Sequence, residues 1–77
     1  MNEITIYRKP TCGLCDEVET LIEIIQHDYE IKVNKIDITG NINLEQKYLL
    51  EIPVLLINGE ELEYRQIDLL TIRERLH

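Results

Sequence analysis

The chain has 77 residues, 15 of them acidic and 8 basic, which gives a formal charge of −7 at neutral pH. This balance argues against a nucleic-acid partner, because a phosphate-binding surface needs excess positive charge. The length predicts a single domain over residues 1–77, and an apolar fraction of 44%, mostly Ile and Leu, indicates a compact aliphatic core.

The first residues show no targeting signal. Met1-Asn2-Glu3 leads directly into a strand pattern, without a basic segment or a long apolar stretch. We therefore expect neither a signal peptide nor a membrane span, and a cytoplasmic location. In that reducing compartment a close cysteine pair is more often catalytic or metal-binding than structural.

The first predicted element is a strand over residues 3–8. Ile4 and Ile6 alternate with polar residues there, and the segment is rich in the β-branched and aromatic side chains that favour strands. Lys9-Pro10 is expected to end it, because a proline biases the preceding residue away from helical geometry.

A long amphipathic helix is predicted next, beginning at Cys12 with Thr11 as its N-cap. We expect it to end near His27-Asp28. Its apolar residues recur at the offsets of one helical face, which would pack against the sheet. That face comprises Leu14, Val18, Leu21, Ile22 and Ile25.

A second strand is predicted from four apolar residues whose alternation changes phase between Val33 and Ile36. A bulge, or burial on both faces of the strand, explains the change. The four residues are Ile31, Val33, Ile36 and Ile38. After the loop Thr39-Gly40-Asn41, Asn43 is expected to cap a short helix. That helix carries Leu44, Tyr48 and Leu49.

The last third of the chain predicts a hairpin and a helix. The apolar run Val54-Leu55-Leu56-Ile57 suits a central strand buried on both sides. Asn58-Gly59 is typical of a tight hairpin turn, and Leu62 and Tyr64 predict the returning strand. Asp68 is then placed to cap a final helix. Its inward-facing residues are Leu69, Ile72 and Leu76.

These elements predict an α/β chain of order β-α-β-α-β-β-α. A right-handed crossover makes the first two strands parallel, whereas the hairpin makes the last two antiparallel. We therefore expect a four-stranded mixed sheet with helices on both faces.

Cys12 and Cys15, the only cysteines, lie at the start of the long helix. Residues three positions apart share a helical face, so a disulfide between them is feasible. A helix N-terminus stabilises a thiolate, and the second thiol can resolve a mixed disulfide. The pattern therefore indicates thiol-disulfide exchange.

The charges near Cys12 act in opposite directions. Arg8 and Lys9, with the helix N-terminus, favour the thiolate, whereas Asp16 and Glu17 oppose it. We expect a thiol pKa modestly below the ordinary value of ~8.5.

Two other interpretations of the cysteine pair are open. Two small buried thiols without chemistry are one. A metal site is the other, but zinc usually takes four ligands, and His27 and His77 are not at zinc-finger spacing. We therefore expect no metal ion.

Several residues outside the pair add a more specific pattern. They are Tyr7, Lys9 three residues before Cys12, Ile52-Pro53 before an apolar strand, Asn58-Gly59 and Asp68. With them the chain resembles, over essentially its whole length, the glutaredoxin branch of the thioredoxin superfamily, and most closely its short bacterial glutaredoxin-like members. The resemblance implies the thioredoxin/glutaredoxin fold.

The resemblance also implies roles for individual residues. Cys12 is the attacking thiolate, Cys15 the buried resolving thiol, and Pro53 a cis proline that faces the disulfide. The implied substrate-binding residues are Lys9, Thr11, Ile52 and Pro53.

The sequence differs from the glutaredoxins that it resembles at two places. Glutaredoxins that bind glutathione carry a Gly-Gly pair where this sequence has Glu63-Tyr64-Arg65. That departure argues against the family's glutathione groove and against a metal cluster shared between two subunits through glutathione. The dipeptide between the cysteines, Gly13-Leu14, is neither Pro-Tyr nor Gly-Pro, so no redox potential carries over.

The predicted activity is thiol-disulfide oxidoreduction by a Cys12/Cys15 dithiol. No cofactor is expected, with glutathione as one candidate electron donor, and the expected partner is a disulfide-containing protein or a low-molecular-weight thiol. We expect a monomer that binds neither nucleic acid nor membrane. The alternative is a noncatalytic thioredoxin-fold module in which the cysteines tether or sense a partner.

Overall fold

The computed structural model describes residues 1–48 and 50–77. Its elements follow the predicted order β-α-β-α-β-β-α, with a short 3-10 helix before the last helix. The strands are β1 (Asn2–Arg8), β2 (Ile31–Asp37), β3 (Val54–Ile57) and β4 (Glu60–Leu62). The helices are α1 (Gly13–Ile25), α2 (Ile42–Tyr48) and α3 (Leu69–Glu74), and the 3-10 helix spans Tyr64–Gln66.

The four strands form one mixed sheet in the order β2-β1-β3-β4. β1 and β2 are parallel, whereas β3 is antiparallel to both β1 and β4. The predicted sheet is confirmed. The continuous apolar run of β3 fits its central position, because a central strand is covered on both faces.

The sheet separates two hydrophobic cores. Residues at alternate positions of β1 and β3, such as Ile4 and Leu55, face α1 and α3 in the larger core. The smaller core, built from Ile38, Tyr48 and Val54, lies on the side of α2. Helices therefore cover both faces, as predicted. No helix within residues 1–48 and 50–77 is long and apolar enough to cross a membrane.

β2 and the residue that follows it contribute to the two cores, and the strand has no bulge. Its pairing with β1 is unbroken from Ile31 to Asp37. Ile31 and Val33 pack against the larger core, whereas Ile38, just after the strand, is buried in the smaller one. The bulge is therefore wrong. Apolar residues of this segment pack on both sides of the sheet, but within β2 itself they are only partly buried.

The hairpin turn has the predicted residues, but the returning strand is shorter than predicted. Asn58 and Gly59 adopt positive φ values of 49° and 90°. β4 ends at Leu62, and Tyr64 begins the 3-10 helix instead of extending the strand. The Gln66 N–H donates to the Glu63 carbonyl at 2.9 Å and closes the turn, and the Glu63 N–H donates to the Gln66 side chain at 3.0 Å and caps it.

Two helix caps can be compared with the prediction. Asp68 caps α3 as expected, since its carboxylate accepts from the Thr71 N–H at 2.7 Å, a bond that lowers the pKa of Asp68. Asn41, and not Asn43, caps α2, because its side chain accepts from the Leu44 N–H at 3.0 Å. The prediction for Leu49 lies outside the described residues.

The buried Asn2 side chain ties β1 to the opposite end of the chain. Only 3% of Asn2 is exposed. Its carbonyl oxygen accepts from the His77 N–H at 2.8 Å and from the Asn58 amide at 3.0 Å. Its own amide donates to the His77 carbonyl at 3.0 Å. This polar cluster was not predicted, because nothing local to Asn2 indicates partners so distant in sequence.

Candidate active site

The cysteine pair lies where the connection from β1 enters α1. Cys12 is the N-cap of α1, and its Sγ accepts a hydrogen bond from the Cys15 N–H at 3.1 Å. The prediction that Thr11 caps this helix is wrong. Thr11 has a φ of 55°, and its hydroxyl donates to the Pro10 carbonyl at 2.7 Å, so it turns away from the helix end.

Cys12 and Cys15 are joined by a disulfide, with their Cα atoms 5.2 Å apart. Cys15 is completely buried, whereas Cys12 is partly exposed. A group arriving from solvent therefore reaches Cys12 first. The accessible sulfur is also the one at the helix N-terminus, where backbone amides stabilise negative charge on sulfur.

A cluster of charges links the end of β1 to the first half of α1. Arg8 forms ion pairs with Asp16, at 3.1 Å, and with Glu19. Lys35 of β2 also pairs with Glu19, at 2.9 Å. The Arg8 side chain is only 19% exposed. Arg8 therefore compensates the carboxylate of Asp16, one of the two acids expected to oppose a Cys12 thiolate. The other acid, Glu17, is exposed to solvent.

Lys9 lies between this cluster and the cysteines. Its carbonyl accepts from the Arg8 guanidinium at 3.2 Å. Within the described residues its ammonium is in no ion pair with a carboxylate. The pKa of Asp37 is lowered, mainly by a hydrogen bond from the Thr39 N–H and also by the charges of Arg8 and Lys9. The charge of Lys9 therefore acts on Asp37 at the end of β2.

Ile52 and Pro53 lie beside the helix that carries the cysteines. The peptide bond between them is cis, Pro53 is buried and Ile52 is partly exposed. A groove of about 440 Å³ brings this segment together with the cysteine motif, because Leu14 and Ile52 both line it. Its other lining residues are Leu50, Glu51, Glu63, Tyr64 and Arg65.

A second groove of about 560 Å³ runs between α1 and the 3-10 helix. Tyr64 and Arg65 line it as well, so these two side chains lie between the two grooves. The remaining lining residues are Glu17, Val18, Thr20, Leu21 and Ile67. The Arg65 guanidinium donates to both carboxylate oxygens of Glu63, each at 2.9 Å, which lowers the pKa of Glu63.

The structure places the predicted site residues in two groups. Lys9 and Thr11 lie in the connection before Cys12, whereas Ile52 lines the groove together with Leu14 and the buried Pro53 follows it in the chain. The positive charge of Arg8 near Cys12 was predicted, but its ion pairs and the position of Glu51 in the groove were not. Their partners depend on the folded arrangement, and only the closeness of Arg8 to Cys12 in sequence is a signal for one of them. In the part of the chain that the structure describes, no three His, Cys, Asp or Glu side chains are grouped to hold a metal ion.

Two solved structures are similar to this one over nearly the whole chain. Protein Ne2328 from Nitrosomonas europaea is 26% identical, with a TM-score of 0.83, and the match covers 99% of this chain and 92% of that one. The structural genomics target XcR50 from X. campestris is also 26% identical, with a TM-score of 0.77 and coverage of 92% and 91%.

Thioredoxin O2 from Arabidopsis thaliana, solved in its oxidised state, matches at 19% identity with a TM-score of 0.66, covering 96% of this chain and 70% of that one. This likeness shows the thioredoxin fold. No curated protein matches the sequence significantly. The family model of the glutaredoxin-like domain (DUF836) matches residues 3–77. The chain therefore belongs to this glutaredoxin-like family of the thioredoxin superfamily.

Proposed function

We propose that this protein is a thiol-disulfide oxidoreductase in which Cys12 is the nucleophile and Cys15 the resolving thiol. One observation carries the proposal: the two sulfurs are close enough to pair, yet only Cys12 is accessible. The Cys12 sulfur also accepts the Cys15 N–H at the helix N-terminus. Such an amide favours the thiolate, which is the attacking species in exchange.

The catalytic cycle starts from the reduced dithiol. The Cys12 thiolate attacks one sulfur of the substrate disulfide, so that a bond between Cys12 and the substrate forms while the substrate S–S bond breaks. The departing sulfur leaves as a thiolate. Cys15, after losing its proton, then attacks Cys12, and the second substrate sulfur is released. Two electrons pass to the substrate, and the protein is left with its own disulfide.

The return to the dithiol needs an external thiol. A low-molecular-weight thiol or a protein dithiol supplies the two electrons, by the same exchange in the reverse direction. Glutathione is one candidate donor. The proposed substrate is a disulfide-containing protein.

The remaining predicted residues are proposed to bind the substrate. Ile52 lines a groove together with Leu14 of the cysteine motif, and the backbone at Ile52 and Pro53 is proposed to offer hydrogen bonds to an extended substrate chain. Lys9 supplies positive charge before Cys12, and Thr11 is exposed in the same connection.

Trapping of the mixed disulfide tests these roles. Cys15→Ser should hold a disulfide-linked peptide on Cys12 as a stable adduct, seen as a mass increase that dithiothreitol reverses. Cys12→Ser should form no adduct and should not turn over. A Cys12→Ser protein that still binds its partner stoichiometrically, with no turnover by the wild type, would instead indicate a noncatalytic module.

A further inference from the structure

Exposed apolar side chains line the groove that contains Leu14 of the cysteine motif. Leu14, two residues after Cys12, is 42% exposed, and Leu50 is 92% exposed. Tyr64 is also exposed and lines both grooves. Apolar side chains grouped on a surface usually indicate a contact with a partner. The exchange reaction itself does not require them.

The same grooves carry more negative than positive charge. Glu17, Glu51 and Glu63 line them, and Arg65 is their one basic residue among those described. The Arg65 guanidinium is bound by both oxygens of Glu63. The pKa of Arg65 is raised by the hydrogen bond to Glu63 and further by the charge of Glu51. Its positive charge is therefore already compensated and does not provide a site for an anion.

We infer that the grooves bind an extended protein segment that carries an apolar residue and a Lys or Arg beside its disulfide-bonded cysteine. The apolar residue contacts Leu14 and Tyr64, and the basic residue is attracted by Glu51, a carboxylate of the groove that Arg65 does not bind. A thiol with a net negative charge, such as glutathione with two carboxylates and one ammonium, is disfavoured at the same place. The inference rests on the proposed function and specifies its substrate class.

The position of Leu14 explains why the residue next to the substrate cysteine should affect the rate of exchange. During exchange the substrate sulfur bonds to Cys12, so its neighbouring residues lie close to Leu14. The carboxylates of Glu51 and Glu63 line the same groove as Leu14. A charge on the substrate segment therefore acts on the rate at which the mixed disulfide forms, and opposite charges favour that association.

Single-turnover kinetics test this substrate class with the whole protein. The pre-reduced protein is mixed with either of two peptides, each disulfide-linked to a fluorescent reporter thiol. The peptides share a Leu beside the cysteine and differ only in carrying Lys or Glu two positions further. The wild type should reduce the Lys peptide about two- to fivefold faster, the effect of a solvent-exposed ion pair. Added salt should shrink that ratio.

Two charge-reversal variants separate the groove from the net charge. Glu51→Lys should reverse the preference, so that the Glu peptide reacts faster. Glu30→Lys makes the same change of charge far from the grooves. Residue 30 comes just before β2, at the end of the sheet where Ile31 pairs with Asn2. This variant should keep the wild-type ratio. Replacing the Leu of the peptide by Ser should slow the wild type but have less effect on Leu14→Ala.

The outcomes distinguish this inference from the proposed function. Equal rates for the two peptides, or a ratio that Glu51→Lys leaves unchanged, would overturn the substrate class while turnover still supports an oxidoreductase. Reduction of glutathione disulfide as fast as the Lys peptide would overturn it as well. No reduction of any peptide by the wild type would overturn the proposed function, and the inference with it.

Discussion

Replacing Arg8 by Met should raise the thiol pKa of Cys12. Arg8 pairs with Asp16 at 3.1 Å and with Glu19, and Met keeps most of its apolar stem while removing the charge. Without the guanidinium, the carboxylate of Asp16 is left uncompensated one helical turn from Cys12, whose carbonyl accepts the Asp16 N–H. A nearby negative charge disfavours the thiolate.

The size of the effect follows from the distance and the exposure of Asp16. Side chains four positions apart on a helix are about 6 Å apart. Because the Asp16 side chain is 68% exposed, we take the dielectric constant of water, for which two unit charges at about 6 Å repel by roughly 0.7 kcal/mol. That energy corresponds to a rise of about 0.5 in the thiol pKa.

The assay is a pH titration of the reduced protein, followed by the ultraviolet absorbance of the thiolate. Lys35→Met is the matched control, because Lys35 pairs with Glu19 but not with Asp16, and its pKa change should be smaller. Adding Asp16→Asn to Arg8→Met should remove most of the shift and return the thiol pKa close to the wild-type value. An unchanged or lowered pKa in Arg8→Met would refute this role of Arg8.

Three further predictions concern stability. Asn2→Ala should lower the free energy of unfolding, measured by urea denaturation, by about 1 to 3 kcal/mol, because it leaves buried hydrogen-bonding partners unsatisfied. Asn43→Ala, at an exposed position, should change that free energy little, and equal effects of the two substitutions would contradict the role of Asn2. Gly59→Ala should lower the free energy of unfolding by roughly 1 kcal/mol, because residue 59 has a positive φ. Gly13→Ala should lower it much less, because a Cβ there meets no atom within 4 Å and no positive φ opposes it. Because the pKa of Asp68 is lower in the folded state than in the unfolded state, its ionised carboxylate stabilises the fold at any pH above the unfolded-state pKa. That stabilisation is lost as the pH falls through the folded-state pKa. When the pH is lowered from neutral to below about 4, the melting temperature of Asp68→Asn should therefore fall less than that of the wild type. An equal fall in both proteins would argue against this role of Asp68.

The elements that the sequence predicts well are those with a strong local cause. The apolar run of β3 needs burial on both faces, Asn58-Gly59 readily adopts positive φ values, and Asp68 accepts an amide at the start of a helix. Each signal acts within a few residues, so the pattern and the structure agree.

The incorrect predictions arise where two local preferences compete. Thr11 and Cys12 can both accept an amide, but Thr11 has a positive φ and its hydroxyl donates to the Pro10 carbonyl, whereas Cys12 caps the helix. The alternation of Leu62 and Tyr64 favours a strand, but a backbone hydrogen bond from the Gln66 N–H to the Glu63 carbonyl closes a 3-10 turn there instead.

The cysteine pair was found from sequence because its spacing is local. The ion pairs of Arg8 and the contribution of Glu51 to the groove were not, because they join segments that meet only in the folded chain. Charge and apolar content alone do not reveal which carboxylate lies beside which cation.

The most direct test of dithiol exchange is the redox equilibrium of the wild type in glutathione buffers, with free thiols counted by mass-tagged alkylation. We expect one reversible two-electron transition between the dithiol and the Cys12–Cys15 disulfide, with a midpoint between about −270 and −120 mV. Cys12→Ser should show no such transition. Cysteines that never pair under mildly oxidising conditions would contradict the dithiol mechanism.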